Sequence, residues 1–284
     1  MSAATAAPAV KPATAIAAPA RRRAPLGRDL GFKIWAALVF LFLYLPLVVV
    51  ALYSFSATKV NVWPIQGYTF DWYRQLFHDD DIWDAVRLSI FIGLVAAAIA
   101  VVLGTLTAFA VDRYDFPGKA ALRFLIVLPI TLPGIVTGVA LLAWFTQLGV
   151  PLSRWTIIIG HATFCVTLVL NNVIARLMQL PRQLDEASAD LGARPWATFR
   201  RVTFPLVRPA LFSGAILAFT LSFDEIVVTF FLTGREQTLP LLIWGRLRQG
   251  ISPEINAVAT VIILVSLVGV LLASRLARGA TAAR

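Results

Sequence analysis

Apolar positions along this 284-residue chain gather into six long runs: Ile34–Tyr53, Leu88–Val111, Phe124–Phe145, Trp155–Ala175, Pro209–Leu232 and Ile255–Ala273. Each is near the roughly 20 residues a helix needs to cross a bilayer. The pattern predicts an all-α polytopic membrane protein with six transmembrane helices. The first run follows a basic stretch, as the apolar core of a signal peptide would, but its length suits an uncleaved spanning helix better than a cleaved leader. The third run holds LPITLPGIVTG, with Pro129, Pro133, Gly134 and Gly138 inside otherwise continuous apolar sequence. Proline removes a helix hydrogen bond and glycine removes side-chain bulk, so a kink is expected there. The kink serves either close packing or the lining of a path, as broken helices do in transporters.

Polar segments separate the runs. Residues 1–30 are Ala/Pro-rich, contain Arg21, Arg22 and Arg23, and show no apolar period, which predicts a disordered tail; 279–284 form a second short tail. The segment 54–87 is aromatic and acidic, with Trp63, Tyr68, Trp72, Tyr73 and the group Asp79, Asp80, Asp81 and Asp84. It is expected to fold back as an interfacial helix, either as an aromatic belt with a solvated acidic turn or as a docking surface or vestibule that attracts cations.

Composition agrees with the runs: 59% of residues are hydrophobic and 14% charged. The net charge of +10 sits beside apolar runs rather than on one face. If the amino terminus is cytoplasmic, the inner segments hold 18 of the 25 Lys and Arg residues, the distribution that sets membrane orientation. Both termini are therefore expected inside, and a nucleic-acid partner is not. The single cysteine, Cys165, leaves no disulfide and no cysteine pair for a metal.

Candidate chemistry is sparse. The Gly118-Lys119 pair in DRYDFPGK lacks the upstream glycine and the following Ser or Thr of a phosphate cradle, so ATP hydrolysis by this chain is not expected. His161 and Cys165 are four apart and share a helix face, but packing is the favoured role over metal ligation. Asn171 and Asn172 are candidates for interhelical hydrogen bonds. In LSFDEIVVTFFLTG, Asp224 and Glu225 fall inside an apolar run, where an ionised group usually faces a cavity or a partner. They also lie far enough toward the outside to reach the interface.

The polar stretch between the fourth and fifth runs is the most patterned. Leu180, Leu184, Ala187 and Leu191 recur at helical spacing, Asp185 and Glu186 sit in a first turn, and Gly192 suits a helix stop. A second short helix is predicted from Pro195, with Trp196 and Phe199 on one side and Arg200 and Arg201 on the other. Such a helical pair suits a membrane surface or a groove in a soluble partner.

Here the residues resemble a known family. Glu186-Ala187-Ser188, then Gly192, then Phe204-Pro205 resemble the EAA signature of the inner-membrane permease subunits of ABC importers, with Ser188 where that family has a second alanine. SFDEIVVTFFLTG, followed by Leu239-Pro240 and Ile243-Trp244, is more specifically similar to spermidine/putrescine-type permeases. The resemblance implies a type I ABC importer fold, similar to that of the methionine importer, in a bacterial inner membrane. It also implies an ATPase-docking loop over 178–208 seated by Glu186, Ala187, Ser188, Leu191, Gly192 and Ala193. A substrate pathway near Ser222, Phe223, Asp224, Glu225, Pro133 and Gly134 is the further expectation. The implied partners are a second homologous permease, two cytoplasmic ATP-binding subunits that hold the ATP and Mg, and an extracytoplasmic solute-binding protein. The implied cargo is a polyamine or similar cation. Two rivals stand beside this reading: an ion-coupled secondary transporter using Asp224 and Glu225, and a membrane-embedded enzyme, for which His161 and Cys165 supply too few groups.

Overall fold

The computed structural model describes residues 26–250 and 252–282, with side chains described for 30–250 and 252–268. Of the expected tails, 1–25 and 283–284 lie outside the described residues, while 26–30 and 279–282 already belong to helices. The chain divides into two compact units, Met1–Val49 and Val50–Arg284. The first contains most of α1 (Leu26–Tyr53), an apolar helix with Pro46 inside it.

The second unit continues with α2 (Asp71–Phe77), α3 (Asp80–Arg113), α4 (Lys119–Thr131), α5 (Gly134–Gln147), α6 (Arg154–Leu177), α7 (Gln183–Asp190), α8 (Pro195–Thr198), α9 (Phe204–Phe223), α10 (Val227–Leu232), α11 (Leu239–Gln249) and α12 (Pro253–Ala282). Its centre is the packing of α3, α6 and α9. In a bilayer, helices gain little from hiding apolar surface from one another and associate by close contact of small residues. On α3, Gly93, Ala97, Ala100, Gly104 and Ala108 are all buried and supply such a seam. A Cβ on Gly104 would stand 2.9 Å from both the Val166 carbonyl oxygen and Val169 Cβ, so only glycine lets α3 lie this close to α6. Val169, Leu170 and Val173 of α6 and Val207 and Ala218 of α9 complete the core.

Among the described residues, four helical stretches are long and apolar enough to cross a membrane: Leu30–Tyr53, Asp80–Arg113, Arg154–Leu177 and Pro195–Phe223. The expectation of six continuous spans is corrected at two places. The third run is broken into α4 and α5, which bend by 109°. Leu132 precedes Pro133 and takes the extended conformation (φ −78°, ψ 146°) that a residue before proline prefers. Counted as one broken span, the pair makes a fifth crossing, and the apolar stretch Pro253–Val268 of α12 occupies the sixth position.

The fifth run starts earlier and ends sooner than expected. α8 passes through a π-turn at Phe199–Thr203 directly into α9, so the predicted second short helix is the beginning of a span rather than a separate element. α9 then stops at Phe223, and Asp224 is its C-cap. A carboxylate is unfavourable at a helix C-terminus and favourable at an N-terminus. Accordingly Val228 N–H donates to Glu225 Oε1 at 2.9 Å, and α10 restarts just beyond.

Outside the long helices, the expected interfacial helix in 54–87 is only the seven residues of α2. The rest is a loop pinned by its aromatic residues: Trp72 Nε1 donates to the Ser56 carbonyl at 2.7 Å, and the Tyr73 and Ser54 hydroxyls lie 2.6 Å apart. α11, an element the apolar runs did not predict, is fixed by Leu239 N–H donating to Ser89 Oγ of α3 at 2.8 Å. A second small core of Leu76, Ile82, Ala85, Leu239 and Val258 gathers α2, α3, α11 and α12.

Candidate functional site

Two regions carry the predicted site residues. The first is the loop between α6 and α9. α7 ends in a Schellman motif: Gly192 N–H donates to the Ala189 carbonyl at 2.8 Å and Ala193 N–H to the Ser188 carbonyl at 3.1 Å. Gly192 has φ +77°, a conformation that glycine adopts without penalty. The turn presents Leu191, 89% exposed, and Trp196, 69% exposed, on a loop with few apolar neighbours. Glu186 and Ala187 are exposed, and Glu186 has no side-chain hydrogen bond or ion pair among the described residues.

The loop is anchored at its base. Arg113, at the end of α3, pairs with Asp185 Oδ2 at 2.5 Å, and the Thr203 hydroxyl donates to Asp185 Oδ1 at 3.3 Å. Arg176 Nε donates to the Leu206 carbonyl at 2.9 Å, and the rings of Phe109 and Phe199 meet edge to face at 5.5 Å. Ser188 turns inward, its hydroxyl 2.9 Å from that of Thr198. The residue that departs from the family signature therefore ties α7 to α8, a role its small size alone did not reveal. The outcome is a short helix with an open face, rigidly joined to α3, α6 and α9.

The second region gathers the two helix breaks. Gly134, just past the Pro133 bend, faces Val227, which a Cβ would meet at 3.5 Å, and Gly138 faces Phe231 of α10. The broken third run and the broken fifth run thus lie against each other. Asp224 is exposed and, with Thr220, Phe223, Trp244 and Ser266, lines a cavity of about 410 Å³. Its wall combines a carboxylate with the aromatic side chains of Phe223 and Trp244, and the Arg248 guanidinium lies over the Trp244 ring, 5.8 Å from its centroid. Glu225 is half-buried and occupied as the cap of α10, so the two acids serve different purposes. Ser222 does not open to that cavity. It is buried, with its hydroxyl 2.7 Å from His161 Nδ1.

Sequence reasoning placed His161 in packing and missed this bridge: both ring nitrogens are engaged, Nε2 lying 2.9 Å from Thr229 Oγ1. Cys165 donates from Sγ to the Ala218 carbonyl at 3.4 Å, and no group of three potential metal ligands occurs among the described residues. Asn172 donates to the Leu168 carbonyl of its own helix, so the expected interhelical bond is not made. On the acidic outer segment, Arg246 lies 2.7 Å from Asp79, 2.6 Å from Glu254 and 3.9 Å from Asp81. The Arg246 hydrogen bond holds the Asp79 carboxyl below its usual range. Part of the acidic cluster is thereby spent on joining α3 to α11 and α12.

Residues 100–280 match the family described as binding-protein-dependent transport system inner membrane component. The chain is 41% identical to the putrescine transport system permease protein PotI of Escherichia coli strain K12, over 79% of this chain and 82% of that protein. It is 36% identical to the spermidine/putrescine transport system permease protein PotC of the same strain, over 86% of this chain and 92% of the relative. Among solved structures, a chain of a bacterial alginate ABC transporter, in complex with a pentasaccharide-bound periplasmic protein, matches with TM-score 0.69 at 17% identity, over 89% of this chain and 96% of that one. A chain of the MetNI methionine ABC transporter matches with TM-score 0.56 at 16% identity, over 74% and 98%. The fold is that of type I ABC importer permeases. With its apolar helices, anchored loop and matched core, the chain belongs to the inner-membrane components of binding-protein-dependent transport systems.

Proposed function

We propose that this chain forms half of the translocation path of an ATP-driven importer for putrescine, spermidine or a similar small organic cation. The observation that carries the coupling is the open face of α7, closed by the Gly192 turn and anchored through Asp185 to Arg113. A cytoplasmic ATPase seats on that face through Glu186, Ala187, Leu191, Gly192 and Ala193, with Ser188 bracing the helix from behind. Two ATPase copies, which hold the ATP and Mg, a second homologous permease and an extracytoplasmic solute-binding protein complete the assembly. Both termini are cytoplasmic. ATP binding favours one of two arrangements of the paired permeases, and hydrolysis releases it.

The relatives' names for putrescine and spermidine transport support the cargo class, as does the exposed Asp224 carboxylate beside Phe223 on one cavity. The Pro133–Gly134 bend packs directly against that segment. Glu225, committed to α10, is a poor relay group for a secondary transporter. The test is stimulation of ATP hydrolysis by candidate cargoes in the complete complex with its binding protein. Putrescine or spermidine should stimulate, and 2-aminoethylphosphonate, transported by a putative system whose permease is 26% identical to this chain, should not. Stimulation by the phosphonate alone would refute the polyamine assignment.

A further inference from the structure

The break between α9 and α10 is spanned by a chain of buried hydrogen bonds centred on His161. Thr229 donates its only hydroxyl proton to the Glu225 carbonyl at 2.9 Å. Its oxygen lies 2.9 Å from His161 Nε2 and accepts there in the tautomer that carries the ring proton on Nε2. In that tautomer His161 Nδ1 accepts, and the Ser222 hydroxyl, 2.7 Å away, donates to it. His161, Ser222 and Thr229 are all buried. One side chain of α6 is therefore bonded to the last turn of α9 and to the first turn of α10, with Asp224 and Glu225 between them.

Other contacts make the same connection. Thr156 Oγ1, one end of α6, lies 2.8 Å from the Leu232 carbonyl at the end of α10. A Cβ on Gly160 would overlap Leu232 and crowd Val228, so these two side chains of α10 pack directly on the backbone of α6. From His161, α6 continues unbroken to Leu177, roughly 24 Å along its axis, and leads into the loop that carries α7.

We propose that His161, as the neutral Nε2–H tautomer, is a positioning residue that fixes the Asp224–Ile226 break to α6, so that the break moves with the helix leading to α7. This rests on the reading of the break as part of the path, but the bridge itself is tested without cargo. Leucine at this position leaves the buried Ser222 hydroxyl without a partner and removes the group that faces Thr229 Oγ1, whereas glutamine supplies one acceptor and one donor for the same two partners.

The experiment is amide hydrogen exchange over 225–232 in the assembled protein, with ¹⁵N-histidine spectra alongside; the chain has only two histidines, His78 and His161, so assignment is direct. His161→Leu should speed exchange in α10 about tenfold and leave 183–190 unchanged, with His161→Gln restoring most of the protection. The spectrum should show the Nε2–H tautomer. Should His161→Leu fail to insert, Thr229→Val, which preserves volume, carries the same expectation. Unchanged exchange, equal damage from leucine and glutamine, or the Nδ1–H tautomer would overturn the proposal. In parallel, putrescine uptake by these proteins separates the two readings. A wild-type protein that ignores putrescine, while exchange behaves as described, sinks the cargo assignment and leaves the bridge standing.

Discussion

Replacing Gly192 isolates the backbone of the docking turn from its surroundings. A Cβ at this position meets nothing within 4 Å, so a substitution there introduces no clash, only the penalty of a side chain at φ +77°. For an L residue in the left-handed region that penalty is about 1–2 kcal/mol, and Asn largely escapes it by local hydrogen bonding. A penalty of that size lowers the population of the ordered turn by a factor of roughly 5–30. Gly118 provides a matched control: it has φ +87°, also with nothing within 4 Å, but lies before α4. The assay is cargo moved per ATP hydrolysed by the reconstituted complex, together with the amount of ATPase that co-purifies. Gly192→Val should insert normally yet lose coupling, while Gly192→Asn and Gly118→Val remain close to the unmodified protein. Normal coupling in Gly192→Val, or an equal loss in Gly118→Val, would refute the reasoning.

Two further outcomes follow from the packing and the charges. Gly104→Ala forces a methyl group onto the backbone of α6 and should destabilise the purified protein by about 1–3 kcal/mol, read as a lower unfolding temperature; no shift would mean that α3 and α6 are not held this close. Asp79 has its carboxyl pKa depressed in the folded protein by Arg246, so its stabilising contribution is present above the unfolded value and lost as pH falls through the folded one. Acid below about pH 4 should therefore lower the unfolding temperature, and Asp79→Asn should reduce that drop; an identical acid response in the variant would show that this junction does not matter.

How much of this was legible beforehand depends on what each residue answers to. The spans were readable because a bilayer demands long apolar runs. The short helix α7 was readable because Gly192 and Pro195 mark a stop and a start that local geometry requires. Pro133 announced a kink, but a proline does not state an angle, and the 109° bend accompanies packing of α5 against α10, which no local pattern reveals. The break at Asp224 carried no proline or glycine, only two acids, which suggested a site inside a helix rather than the end of one. α11 fell outside the apolar runs, although Pro240 after Thr238 suits a helix start. His161 was hardest to place: its partners lie 61 and 68 residues away, a separation that no local pattern reveals.

The central claim is that motion of a partner ATPase, received on α7, drives cargo through this chain. It is tested most directly by putrescine uptake into proteoliposomes of the complete complex, with ATP and ion gradients supplied separately. Uptake should require ATP and the seated ATPase, and should be absent with a proton or sodium gradient alone. Gradient-driven uptake by the permease pair without the ATPase would contradict the account.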